Sequence, residues 1–119
     1  MTPYYSKHNT DCLRACISSI IDIDISNFPW VTIEETLNNN WFQSLYTFLI
    51  EEYKISISHQ KNTPSNIEYY ISVYKDPHRE LNYHAVVCND MNDIIHNPSL
   101  SDDYDYKTLD PDYFIIITK

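Results

Sequence analysis

The chain has 119 residues, one domain's worth, and apolar residues make up 43% of it, enough to build a core without disulfides or a structural metal. Its formal net charge is −9, so its surface repels nucleic-acid phosphates and anionic membranes, and neither is an expected partner. No stretch approaches the ~18 apolar residues of a membrane span, and the opening Met1-Thr2-Pro3-Tyr4-Tyr5-Ser6 lacks the basic-then-apolar pattern of a secretory leader, so the expected compartment is the cytoplasm.

Asn9-Thr10-Asp11 offers capping side chains ahead of an apolar run. From Cys12 to Ile23 the positions Cys12, Ala15, Cys16, Ser19, Ile20 and Ile23 follow the three-four spacing of a buried helix face. Leu13, Ile17 and Ile21 widen that face, which predicts a central helix. An aromatic loop follows at Asn27-Phe28-Pro29-Trp30, then a short helical turn near Thr32 to Leu37. A second helix is predicted from Trp41 to Tyr53, with Trp41, Leu45, Phe48 and Leu49 inward.

Beyond it the period changes to two. Strands are predicted over Lys54 to Ser58, Ile67 to Tyr74, Tyr83 to Cys88, Ile94 to His96 and Tyr113 to Thr118. Between them stand turns at Asn62 to Asn66, a break at Asp76 to Glu80, a polar hairpin connection at Asn89 to Asp93, and an acidic loop from Ser99 to Asp112. There is no glycine, so the turns fall to Asn, Asp, Ser and Pro. Helices first and strands after predict a single α+β domain over residues 1–119, with helices packed on a small antiparallel sheet.

Three cysteines, Cys12, Cys16 and Cys88, read as free thiols rather than a disulfide framework. Cys12 and Cys16 have no second pair at metal-ligand spacing, so no metal or other cofactor is expected. A nucleophilic cysteine needs a thiolate, which a helix N-terminus favours through its exposed amides. Cys12 opens the first predicted helix; Cys16, one turn inside, is expected to be packed and inert. His84 opens a strand, where it could serve as the base, and Asn97 ends the next strand of the same hairpin, 13 residues on, where it could orient the imidazole. Taken singly, each is more often a plain structural residue. Their order and spacing are what single them out.

Those residues resemble the papain-like cysteine peptidase superfamily, in particular the branch of the bacteriocin-leader peptidases and a group of small bacterial and phage proteins. Thr10-Asp11-Cys12-Leu13-Arg14-Ala15-Cys16 is similar to the family's nucleophile helix, Phe28-Pro29 to a loop that follows it, and Trp41 with Leu49 to its second helix. His84-Ala85-Val86-Val87 resembles the strand carrying the base, and Ile95-His96-Asn97-Pro98-Ser99 the segment supplying the third member. Asn97 stands where Asp is common, as Asn does in papain. The glutamine that completes the oxyanion hole in the family has no counterpart; Ser6 stands at that offset, and His8 or Asn9 could take its role from a shifted loop. A glycine-containing segment before the histidine is also absent.

The resemblance implies a papain-like fold and a cysteine hydrolase of the peptidase, amidase or isopeptidase kind. Cys12, His84 and Asn97 would form the triad, and Ser6, His8, Asn9 and Tyr83 would serve the oxyanion and substrate. The expected partner is a peptide or protein substrate, including a host protein. The alternative is a non-catalytic binding protein on the same scaffold, for example a phage or mobile-element inhibitor of a host defence protein.

Overall fold

The computed structural model describes residues 1–6, 12–28, 41–75, 83–99 and 105–119, without the side chains of 41 and 42. Within them the elements run α1 (Cys12–Ile21), α2 (Trp41–Tyr53), β1 (Ser56–Gln60), β2 (Tyr69–Lys75), β3 (Tyr83–Asn89), β4 (Ile94–His96), a 3-10 turn (Tyr106–Thr108) and β5 (Tyr113–Thr118). The strands form one sheet in the order β1-β5-β2-β3-β4, every neighbouring pair antiparallel. The α+β class is borne out. The predicted turn at Thr32 to Leu37, the break at Asp76 to Glu80, Pro29, Trp30 and the side chain of Trp41 lie outside the described residues.

Strand composition follows position in the sheet. The three inner strands, β5, β2 and β3, carry near-continuous apolar runs because both of their faces are covered. The edges are of another kind: β1 reads Ser-Ile-Ser-His-Gln and is mostly exposed, and β4 has only three residues. A polar or very short edge offers little template for pairing with another chain.

The two faces of the sheet collect different side chains. On one, Ile57, Ile71, Val73, Ala85, Val87, Tyr113 and Ile115 pack against α1 and against Leu45 and Leu49 of α2. On the other, Tyr70, Tyr74, Val86, Cys88 and Phe114 pack under Tyr106 of the 3-10 turn. Every residue of α1 is buried, because the N-terminal segment covers the helix on the side away from the sheet. The Thr2 and Tyr4 amides donate to the Ser19 carbonyl and hydroxyl, and the Arg14 guanidinium donates to the Tyr5 carbonyl at 2.7 Å and to Asp24 at 3.1 Å.

β1, β2 and β3 run on past their predicted ends, to Gln60, Lys75 and Asn89, and three further boundaries move for a local reason. Asp22 takes φ 62 and ends α1, with the Ile23 amide donating to the Ser18 carbonyl in a Schellman closure. Ile23 is thereby turned out to solvent instead of joining the buried face. Lys54, at φ 57, closes α2, so β1 begins at Ser56 and not at Lys54. Asn66, at φ 59, delays β2 to Tyr69. Left-handed positions that glycine would usually fill are occupied here by Asp22, Asn66, Asn92 and Lys54.

Candidate functional site

β3 and β4 form the hairpin that the spacing of His84 and Asn97 predicts. Val87 stands opposite His96 and Cys88 opposite Ile94, with a bulge between Val87 and Cys88. Asn97 leaves the ladder beside the first half of β3, and its Oδ1 lies 2.8 Å from His84 Nε2. The same Oδ1 accepts from the Ser99 amide at 3.1 Å. A backbone N–H can only donate, so this bond identifies Oδ1 as the carbonyl end of the side chain. His84 Nε2 must then carry the proton towards it. In the neutral ring Nδ1 becomes the basic nitrogen.

Period two places His84 on the same face as Val86 and Cys88. Its ring stacks on Tyr106, with centroids 4.7 Å apart and 18° between planes. His84 is 7% exposed, an imidazole held between a tyrosine face and a carbonyl oxygen.

Cys12 reaches the same end of the sheet from the other face. A groove lined by Ile20, Asp22, Tyr69 and Ile117 places the end of α1 where β2 starts and β5 finishes. The start of α1 therefore lies towards the opposite end, where β3 and β5 begin. Cys12 shares the core cluster of Tyr113, Ala85 and Val73, and is itself 6% exposed. The structure thus joins His84 to Asn97 and brings Cys12 to their end of the sheet, with the helix start and the imidazole approaching it from its two faces.

Of the expected oxyanion and substrate residues, Ser6 and Tyr83 are described, and His8 and Asn9 lie outside the described residues. The Ser6 amide donates to the Pro98 carbonyl at 2.9 Å, which seats Ser6 beside the residue that follows Asn97. Its hydroxyl is buried and has no hydrogen-bond partner among the described residues. An oxygen in that state is costly unless something else binds it. Tyr83 is half-buried, packs against the α1-side core, and meets Tyr113 at a ring distance of 6.3 Å.

The other two thiols are held in the neutral form. Burial pushes Cys16 well up, and negative charge at Cys12 or Cys88 would push it further. Burial also raises Cys88, partly offset by hydrogen bonds from Ser72 and Tyr70; the Ser72 hydroxyl lies 3.2 Å from its sulfur.

Two contacts were not foreseen from the sequence. Tyr106, inside the acidic loop, carries no signal that it would stack on His84. His96, which reads as incidental, donates from Nε2 to the Tyr4 carbonyl at 2.6 Å and meets the Tyr5 ring edge-on, tying the N-terminal segment to β4. Among the described residues, no group of three or more His, Cys, Asp or Glu could hold a metal ion, and no helix is long and apolar enough to cross a membrane.

No protein-family model, no curated protein and no solved structure matches the chain.

Proposed function

We propose that this chain is a thiol hydrolase of papain-like build, acting on an amide, isopeptide or related acyl bond in a peptide or protein. Cys12 transfers its proton to His84 Nδ1, the sulfur bonds to the acyl carbon, and the carbonyl electron pair moves onto oxygen. Collapse of the adduct expels the amine, which takes the proton from His84. Water then attacks the thioester, giving its proton to Nδ1, and cleavage of the C–S bond returns that proton to sulfur. The Cys12 amide and the Ser6 hydroxyl hold the oxyanion; removing one such donor costs roughly 2.7 to 4 kcal/mol in catalysis.

The observation that carries this reading is the 2.8 Å bond from His84 Nε2 to a carbonyl oxygen whose orientation the Ser99 amide fixes. It sets the tautomer that a base acting through Nδ1 requires. The buried, unpartnered Ser6 hydroxyl, at the offset of the family's missing glutamine, supports it.

A second reading, a non-catalytic binding protein on the same scaffold, is favoured by one fact. Cys12 packs in the α1-side core while the His84 ring is turned to Tyr106 on the far face. Alkylation of the thiols by iodoacetamide across pH separates the two. The hydrolase predicts fast labelling of Cys12 well below pH ~8.5, the ordinary thiol value, abolished in Cys12→Ala and strongly slowed in His84→Ala. Slow, uniform labelling of all three thiols, indifferent to His84→Ala, would leave only the scaffold.

A further inference from the structure

The end of β4 divides two tasks between neighbouring residues. His96 stands opposite Val87, so its side chain shares the α1 face of the sheet with that residue. Asn97, the next residue, turns the other way and meets His84. Only Asn97 has a place in the hydrolase reading. His96 is nevertheless as buried as His84, 7% exposed, and its Nε2 lies 2.6 Å from the Tyr4 carbonyl oxygen. A carbonyl only accepts, so Nε2 carries the proton and that bond fixes the ring. The Tyr5 ring meets it edge-on at 5.0 Å.

Two residues further along both segments, the Ser6 amide donates to the Pro98 carbonyl at 2.9 Å. Tyr4 to Ser6 therefore runs beside His96 to Pro98, with one bond on each side of Asn97. The same segment is bonded to α1. The Thr2 and Tyr4 amides reach Ser19, and the Tyr5 carbonyl accepts at 2.7 Å from Arg14, two residues beyond Cys12. Thr2 to Ser6 is thus a strap, one edge on the helix of Cys12 and the other on the segment of Asn97. Apolar packing of α1 on the sheet is non-directional and by itself permits small slides and rotations of the helix. Oriented hydrogen bonds remove that freedom.

We propose that His96 is a positioning residue that clamps the strap to the end of β4 and thereby fixes the start of α1, with Cys12, against the hairpin carrying His84 and Asn97. The inference rests on the hydrolase reading for its purpose, but the clamp is testable without it. Sequence position hides this role, because the histidine that holds the strap and the amide that orients the base are adjacent residues.

The test is the pH profile of Cys12 alkylation by iodoacetamide in the full chain, for a matched pair of variants. The glutamine amide in His96→Gln has nearly the reach of histidine Nε2 and donates the same bond, whereas His96→Asn is one methylene shorter and falls short of it. His96→Gln is expected to keep the native profile. His96→Asn is expected to displace it to higher pH and to slow Cys12 roughly tenfold at neutral pH, since a misplacement of about 1 Å can cost up to a hundredfold. Hydrogen exchange at the Tyr4 and Ser6 amides is expected to quicken in the same variant. A merely structural His96 would lower the melting temperature and leave the profile in place. Coincident profiles for the two variants, displaced or not, overturn the proposal. Should His96→Asn fail to fold, Ser19→Ala releases the strap from its other edge, about two turns along α1 from Cys12. It is expected to move the profile the same way, and no movement overturns the clamp. His84→Ala keeps the two readings apart. A shift in His84→Ala with none in His96→Asn removes only the clamp. The reverse pattern removes the hydrolase and leaves the strap its hold on Cys12.

Discussion

The two faces of the sheet are built on different principles. Among the described residues the α1 face is mainly aliphatic and is covered by α1 and α2, so its stability comes chiefly from burying Ile, Leu and Val in volume. The far face is aromatic and polar. It sets Tyr70, Tyr74, Phe114, His84 and Tyr106 around the Ser72–Cys88 pair, and among the described residues its cover is the 3-10 turn. Packing of the first kind tolerates little loss of volume. The second kind depends on individual oriented contacts, such as the Tyr70 hydroxyl on Asn92 at 2.7 Å. Stability therefore rests mainly on the α1 face, and orientation of the imidazole mainly on the far face.

The most direct way to break that division is to damage each face in turn. Ile17 of α1 is fully buried in the aliphatic cluster. Ile17→Ala is expected to cost ~2 to 5 kcal/mol, the range for truncating a core aliphatic. Tyr106→Leu keeps an apolar cover but removes the stacked ring, and is expected to cost ~0.5 to 1.5 kcal/mol. Chemical denaturation reads both. A loss at Tyr106→Leu equal to that at Ile17→Ala would show that the thin face is as much a core as the thick one.

Arg14 tests the other cover of α1. Its guanidinium is 2% exposed and bridges the Tyr5 carbonyl and Asp24. Arg14→Met retains much of the stem's apolar contact and removes the charge, leaving that carbonyl and carboxylate to find water. A loss of ~1 to 3 kcal/mol is expected, the cost of stranding buried polar partners. Because Asp24 is already partly solvated, the Tyr5 carbonyl is expected to account for most of it. Hydrogen exchange at the Tyr4 and Thr2 amides would report whether the N-terminal segment detaches first.

Alkali distinguishes the faces by a different route. Tyr70 and Tyr74, both on the far face, are each pushed from 10.0 up to about 12, first by burial and then by negative charge at Cys88. A tyrosine whose folded value is raised adds stability that is fully present below its unfolded value. As pH rises from 10 to 12, the unfolded chain ionises ahead of the native one and that stability is lost. Melting temperature is therefore expected to fall across this window. A Tyr70→Phe, Tyr74→Phe double variant is expected to show a shallower fall, from a neutral-pH baseline lowered by the lost Asn92 bond. Equal slopes for the two proteins would remove the far-face tyrosines from the alkaline transition.

Much of this architecture is legible in the residues. The change from three-four spacing to alternation at the end of α2 is visible, as are the bounds of α2, β4 and β5. The 13-residue interval from His84 to Asn97 is enough for strand, turn and return. What period two cannot supply is the face. It groups His84 with Val86 and Cys88, and Ala85 with Val87, but either group could have lain under α1. That choice depends on α1 docking against small Ala85 and on Tyr106 arriving from a loop without alternation. Strand order is equally hidden. Nothing local says that Tyr113 to Thr118 inserts between β1 and β2, and so nothing local says that Tyr113 joins the cluster of Cys12.

The smallest expected effect concerns the joint that leads into the α1 face. Among the described residues, three of the four left-handed ones are Asp22, Asn66 and Asn92, types whose short polar side chains tolerate that conformation; the fourth is Lys54, at φ 57 between α2 and β1. A lysine there carries a steric cost of ~1 to 2 kcal/mol, whereas glycine would carry none but would lose ~0.5 to 1 kcal/mol more backbone entropy on folding. The balance gives Lys54→Gly a gain of ~0.5 to 1 kcal/mol. Asn66→Gly, on the approach to β2, is expected to gain close to nothing. Both substitutions remove a side chain that is exposed, so packing cannot explain a difference between them. Denaturation midpoints for the pair therefore isolate backbone strain. If Lys54→Gly lowers the midpoint, the turn does not bear on global unfolding as a strained hinge, and the closure of α2 must be held by the Ile55 side chain in the core and the Lys54 amide on the Ile50 carbonyl.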